Sequence, residues 1–138
     1  MKDKIIRLLK EHDLRITQTR QEVLAIFIRS GKHALASGDI EVELEDIDRI
    51  TLYRTLKTFE EAGLVHGAID HTGKQKYALC ADCDAHHHSD DHPHFHCTVC
   101  DQTTCLETVS IPAIKVPQGY ELRDLQVILS GVCISCGN

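Results

Sequence analysis

Two pairs of closely spaced cysteines constrain this chain more than any other feature. Cys97 and Cys100 form one C-x2-C pair, and Cys133 and Cys136 form the second. Each pair turns the backbone so that two thiolates can bind one ion, and two pairs complete a tetrahedral zinc site. Four thiolates leave no open coordination position, so the sequence predicts a structural zinc ion around which a small module folds.

The segment between the two cysteine pairs must contain structure that returns the chain to the first pair. Strand-like patterns occur at 103–106 and at 122–132, the second of them rich in aliphatic residues. Pro112 and Pro117 lie between these patterns and disfavour a long helix there. We therefore expect two strands that bring the second cysteine pair back to the first.

Metal-ligand residue types are concentrated around the first pair. The stretch 80–105 holds five of the seven cysteines and six of the ten histidines of the chain. His92, His94 and His96 alternate, so on an extended strand they would share one face, and Cys105 would lie on a neighbouring strand. This pattern predicts a second site with mixed imidazole and thiolate ligands, while the run 86–88 suits a solvated loop.

Cysteine usage also bears on location. The first residues form an amphipathic helical pattern without the continuous apolar region of a signal peptide, and no apolar run approaches the roughly 20 residues of a membrane span. Seven cysteines without an export signal favour metal binding in a reducing compartment over a disulfide framework. We therefore expect a cytoplasmic protein without a membrane partner.

The first half of the chain reads as helices followed by a hairpin. Apolar spacing and caps predict helices at 3–12, 18–30, 39–45 and 49–62, with Thr17, Ser37 and Asp48 as N-caps. The segment 39–45 also fits a strand, because Val42 lies between Ile40 and Leu44. After Gly63, two short strand patterns flank a glycine-containing turn. Three or four helices and a hairpin are typical of a winged helix, a DNA-binding variant of the helix-turn-helix.

In such a module the last helix enters the major groove and the hairpin, or wing, contacts the DNA backbone. The net charge of −6 lies wholly in residues 81–138, which carry 2 Lys/Arg against 8 Asp/Glu, so residues 1–80 are balanced. The alternative to DNA binding is an ordinary solvated surface, because residues 1–80 lack a net basic charge. The predicted DNA contacts are Arg15, Arg20, Thr51, Tyr53, Arg54 and Lys57, with phosphate contacts from Lys74 and Lys76 on the wing.

A family resemblance combines these features. The segments LRITQTRQEVL, ITLYRTLKTFEEAGLV, a hairpin ending in KYAL, and HPHFHCTVC with a distant CISC resemble the ferric uptake regulator (Fur) family of bacterial metal-sensing repressors. The resemblance implies an α+β fold: a winged-helix DNA-binding domain (1–80), a hinge (81–93) and a small C-terminal α/β metal-binding dimerisation domain (94–138) with structural zinc. It also implies a homodimer that binds palindromic operators when a sensing site is loaded with metal.

The resemblance also implies roles for individual residues. Cys97, Cys100, Cys133 and Cys136 match the structural zinc cysteines, and Cys105 stands where many members have a carboxylate ligand. Val132 and Pro93 replace residues of a third family site and argue against it here. The implied sensing ligands are Cys80, His92, His94 and Cys105, with His66 and His33 as further candidates.

The ligand types then predict the metal. Imidazole with carboxylate suits iron(II) and manganese(II), whereas thiolate favours zinc. Cys80 and Cys105 therefore make the chain most similar to the zinc uptake regulator branch, with structural and regulatory Zn²⁺. An iron or peroxide sensor of the same family stays open, as does a zinc-buffering or delivery protein of another class. No nucleophile–base–orienter set is visible, so we do not expect an enzyme.

Overall fold

The computed structural model describes residues 1–31, 33–69, 72–79, 93–106, 108–123 and 125–137. Its first half contains the predicted helices and hairpin, a winged-helix arrangement. Among the described helices, none combines the length and the apolar character needed to cross a membrane. The elements are α1 (Lys2–Glu11), α2 (Gln18–Ser30), α3 (Ser37–Glu43), α4 (Arg49–Glu61), β1 (Val65–Ile69) and β2 (Gln75–Leu79).

Local signals fix most of the helix ends. The hydroxyl of Thr17 accepts a hydrogen bond from the Arg20 amide, and the carboxylate of Asp48 accepts one from the Thr51 amide at 2.8 Å. Both predicted caps are therefore confirmed. The prediction for Ser37 is wrong, because Ser37 is already the first helical residue and Ala36 takes the cap position. Ala36 has no side-chain acceptor, and its amide donates to the Asp39 carboxylate instead.

A largely aliphatic core holds the helices against the hairpin. Helices α2 and α4 supply the two fully buried phenylalanines, and α1 packs on them with one face. Burial of this apolar stripe supplies the main driving force for folding the module. The core residues are Ile5, Leu9, Val23, Leu24, Ile26, Phe27, Ile40, Leu52, Leu56, Phe59, Leu64, Val65 and Leu79.

A three-stranded mixed sheet forms the C-terminal module. Its strands are β3 (His94–Cys97), β4 (Thr103–Cys105) and β5 (Ile128–Gly131), in the order β4-β3-β5. Strand β3 pairs antiparallel with β4 and parallel with β5. The described residues between 93 and 137 contain no helix, so the helical part of the expected α/β module has no counterpart among them.

The strand predicted at 122–132 is shorter than expected. Of the residues that the structure describes in this range, only Ile128–Gly131 are in the sheet, paired one to one with His94–Cys97. The described strand β3 has four residues, and Ile128–Gly131 are the residues that pair with them. The aliphatic residues before Ile128 therefore have no described strand to extend along.

The connection between α2 and α3 links the hairpin to the C-terminal sheet. The amide and carbonyl of Leu35 exchange hydrogen bonds with those of Tyr77 in β2. One residue earlier, the Ala34 amide donates to the carbonyl of Thr103 in β4 at 2.7 Å. This short extended segment therefore brings the wing and the C-terminal sheet next to each other, which positions the site described below.

Candidate metal centres

Four thiols converge at one end of the C-terminal sheet. The sulfur atoms of Cys97, Cys100, Cys133 and Cys136 all lie within 4.8 Å of one another. The sulfurs of Cys100 and Cys133 are 3.9 Å apart. A tetrahedral zinc ion with bonds of about 2.3 Å requires its sulfur ligands to be about 3.8 Å apart, so the cluster fits zinc with little movement.

Strand pairing brings the two cysteine pairs together. Cys97 ends β3 and lies beside Gly131 of the parallel strand β5, two residues before Cys133. Between β3 and β4, Asp101 adopts a positive φ of 64°, which lets the chain turn tightly after Cys100. The long spacing between the pairs is therefore closed by the β3–β5 ladder, as the sequence required.

The surroundings of these thiols shift the pKa values of Cys97 and Cys136 in opposite directions. The amides of Cys100 and Cys133 point at the sulfur of Cys97 and lower the pKa of that thiol to about 6. The neighbouring thiol of Cys133, together with burial, raises the pKa of Cys136 to about 12. The lowered pKa favours the thiolate form at Cys97, and a divalent cation bound by all four sulfurs would displace the protons of the other thiols.

A second cluster is buried between the wing and the C-terminal sheet. The Nε2 atom of His66 lies 2.9 Å from Nε2 of His94 and 3.1 Å from Sγ of Cys105. All three side chains are buried, and their ligand atoms form a compact triangle. Each of these groups is a soft or borderline metal ligand, so their burial against one another indicates a candidate metal site.

The three side chains come from three strands. His94 and Cys105 are direct cross-strand neighbours in the β3–β4 pair, so they share one face of the C-terminal sheet. His66 projects from β1 of the wing, where it is paired with Ala78. The cluster therefore contains donor atoms from both modules, and an ion bound by all three would connect them.

The spacing of these donors is compatible with a metal. In a tetrahedral zinc site two imidazole nitrogens are about 3.4 Å apart, and a nitrogen and a sulfur are about 3.6 Å apart. The observed separations of 2.9 and 3.1 Å suit shared protons, and they would have to open by roughly half an ångström around an ion. The wing and the sheet need only a small displacement to make that space.

The other predicted sensing ligands have different positions. Cys80 and His92 lie outside the described residues. His33 lies outside the triangle: its Nδ1 is 3.1 Å from the hydroxyl of Thr104. Because side chains alternate along β4, Thr104 points away from the face that carries Cys105, so this contact holds His33 away from the triangle.

Lys76 is where the structure differs most from the prediction. We expected a solvent-facing phosphate contact, but the Lys76 side chain is 4% exposed and points into the C-terminal module. The phosphate-contact prediction is therefore wrong. Lys74, which lies two residues earlier and just before β2, is exposed.

The exposed surface of α4 carries the predicted DNA-facing residues. Tyr53, Arg54 and Lys57 are all exposed, and the Lys57 amine lies 6.0 Å from the centre of the Tyr53 ring. Arg20 donates to the carbonyl of Arg15, which brings these two arginines of the α2 region together. The hydroxyl of Thr51 donates to Asp48 at the start of α4.

Comparison with known proteins agrees with this architecture. The model of the "Ferric uptake regulator family" matches residues 11–130. The ferric uptake regulation protein of Neisseria gonorrhoeae is 30% identical over 136 residues, covering 93% of this chain and 90% of that protein.

Solved structures share the fold. A zinc uptake regulator complexed with zinc and DNA has a TM-score of 0.68 at 20% identity, covering 97% of this chain and 91% of that one. The ferric uptake regulator of Pseudomonas aeruginosa with manganese has a TM-score of 0.61 at 20% identity, with coverages of 94% and 98%. Family model, relative and fold agree: the chain belongs to the ferric uptake regulator family, a family of metal-dependent transcriptional regulators.

Proposed function

We propose that this chain is a zinc-responsive repressor that binds operator DNA as a homodimer when the His66–His94–Cys105 centre is loaded. The observation that carries this proposal is the position of the centre, buried between the wing and the C-terminal sheet with donors from both. The four-cysteine cluster serves as the structural zinc site.

The donor set supports zinc as the regulatory metal. Two imidazoles and a thiolate match the ligand preferences of zinc, whereas iron(II) and manganese(II) sites are richer in carboxylate oxygen. The described cluster contains no carboxylate. Tetrahedral coordination needs a fourth ligand. We assign this role to Cys80, the residue directly after the end of β2 at Leu79.

The physical basis of regulation is linkage between metal and domain arrangement. An ion held by His66 on one side and by His94 and Cys105 on the other stabilises the closed arrangement of wing and sheet. In a dimer, that arrangement sets the distance between the two recognition helices, and only one distance fits two half-sites of a palindromic operator. Metal and operator then raise each other's affinity by the same factor.

Surface composition supports dimerisation through the C-terminal module. Large apolar side chains are exposed there on both the loop segment and the edge strand β5. Exposed apolar groups in such number are typical of a protein–protein contact, and a second copy of the chain is the partner we assign to them. They are Val109, Ile114, Val116, Tyr120, Leu122, Leu129, Val132 and Ile134.

On the DNA side, we assign base and phosphate contacts to the exposed face of α4 and the start of α2. Arg and Lys side chains bind phosphates and guanine edges, and Tyr53 adds an aromatic surface. The contact residues are Arg15, Arg20, Thr51, Tyr53, Arg54 and Lys57. A regulator of this kind acts on chromosomal operators, so we place it in the cytoplasm.

A panel of metals tests the proposal. Protein that retains one structural zinc per protomer is mixed with operator DNA selected from random sequence, and zinc, iron(II) or manganese(II) is added. We expect zinc to promote binding at the lowest free concentration. Activation by iron(II) but not by zinc would identify an iron sensor instead, and failure to bind any DNA in every metal would favour a zinc-buffering protein.

A further inference from the structure

The wing and the C-terminal sheet meet in two successive layers of side chains. In the first layer, His66 and its partner Ala78 face the pair formed by His94 and Cys105. The second layer lies two residues further along each strand. There Ala68 of β1 pairs with Lys76 of β2, and His96 of β3 pairs with Thr103 of β4. Because side chains alternate along strands, both layers lie on the same facing surfaces.

The second layer is polar and contains a buried cation. The Lys76 amine donates to the carbonyl of Asp101 at 3.0 Å and to the hydroxyl of Thr103 at 3.2 Å. The same hydroxyl lies 3.1 Å from Nδ1 of His96, and Nε2 of His96 lies 3.1 Å from the Asp101 carboxylate. This network spans the two modules beside the metal centre, and Asp101 connects it to the turn after Cys100.

We propose that Lys76 is a positioning residue for the regulatory centre: its buried ammonium holds the wing in the place where His66 reaches His94 and Cys105. This inference rests on the proposed regulatory role of that centre. A buried ammonium is costly unless acceptors surround it, and the two acceptors named here belong to the C-terminal module. Separation of the modules would break both hydrogen bonds together with the metal cluster.

The hydrogen bond from the Lys76 amine to the Thr103 hydroxyl lets these two residues be tested as a pair. Thr103→Val keeps the shape of the side chain but removes one of the acceptors of the ammonium, which stays buried. Lys76→Met keeps most of the length of the side chain and removes the charge. If the two residues act together, the cost of losing the Thr103 hydroxyl must depend on the presence of Lys76.

The experiment is a double-mutant cycle on zinc affinity, measured without DNA by competition with a chelator on protein that retains its structural zinc. We expect Thr103→Val to weaken zinc binding at the regulatory centre by about tenfold, or about 1.4 kcal/mol. In the Lys76→Met background the same change should cost about threefold or less, because only the contact with His96 is then lost. The Lys76 charge also acts on the ion directly, but Thr103→Val leaves that effect unchanged, so it cancels when the effects of Thr103→Val in the two backgrounds are compared.

Lys74→Met is the matched control, since it removes an exposed positive charge from the same hairpin. It should leave zinc affinity unchanged and lower operator affinity, as expected of a phosphate contact. An equal effect of Thr103→Val in both backgrounds, or no effect in either, would overturn the role of Lys76 while leaving the zinc sensor intact. Absence of a second zinc site in the wild-type protein would instead overturn the proposed function, and this inference with it.

Discussion

Replacement of His66 by leucine removes the wing's described contribution to the regulatory centre. Leucine is of similar bulk and apolar, so the core around it is kept while the donor nitrogen is lost. Structural zinc sites with four ligands bind with about 10–16 kcal/mol, so one ligand contributes roughly 3 kcal/mol. We therefore expect His66→Leu to weaken zinc binding at this centre by about a hundredfold.

Chelator competition measures this loss on protein that keeps one zinc per protomer in the four-cysteine site. Operator binding, followed by fluorescence anisotropy, should shift to higher free zinc by a similar factor, because metal and DNA affinities are linked. His12→Leu is the matched control, since His12 is a buried histidine of the same module that lies outside both clusters. Zinc affinity of His66→Leu within about threefold of the wild-type value would refute the assignment of His66 as a ligand.

Three further predictions test the other parts of the molecule. Cys97→Ser should lose the structural zinc and unfold the C-terminal module, seen as loss of dimers by analytical ultracentrifugation; a stable dimer would contradict the structural role. Cys105→Asp should weaken zinc binding by about tenfold or more and improve activation by manganese(II), measured in the operator assay, whereas unchanged metal preference would show that Cys105 is not a ligand. Lys57→Ala should weaken binding to all DNA sequences alike and lower the salt slope by about 1, and an unchanged slope would remove Lys57 from the phosphate contacts.

The N-terminal fold could be predicted because its signals are local. Thr17 and Asp48 cap helices through hydrogen bonds to amides three residues away, and the apolar stripe of α4 follows helical spacing. These interactions depend on neighbours in sequence, so a pattern is enough to place them. The four-cysteine site could also be predicted from the two C-x2-C pairs, because a four-thiolate cluster has few chemical roles other than zinc binding.

The parts that could not be predicted depend on contacts between distant strands. The sequence shows two lysines at the hairpin, Lys74 before β2 and Lys76 within it, but not which of them meets the C-terminal sheet. That is decided by the segment at Ala34 and Leu35, which hydrogen-bonds to Thr103 in the sheet and to Tyr77 in the wing. The strand predicted at 122–132 is present but shorter, and its described part pairs with β3, a contact between residues distant in sequence. His66 could be selected from the family resemblance, but its approach to Cys105 is a tertiary contact.

The central claim is that zinc at the centre between wing and sheet controls operator binding. The most direct measurement is a zinc titration of protein that starts with one zinc per protomer, with bound zinc and bound operator DNA recorded in the same samples. We predict that operator binding rises together with a second zinc per protomer, and that both rises shift to higher zinc in His66→Leu. Full operator binding with one zinc per protomer, or a second zinc that binds without any change in operator affinity, would contradict it.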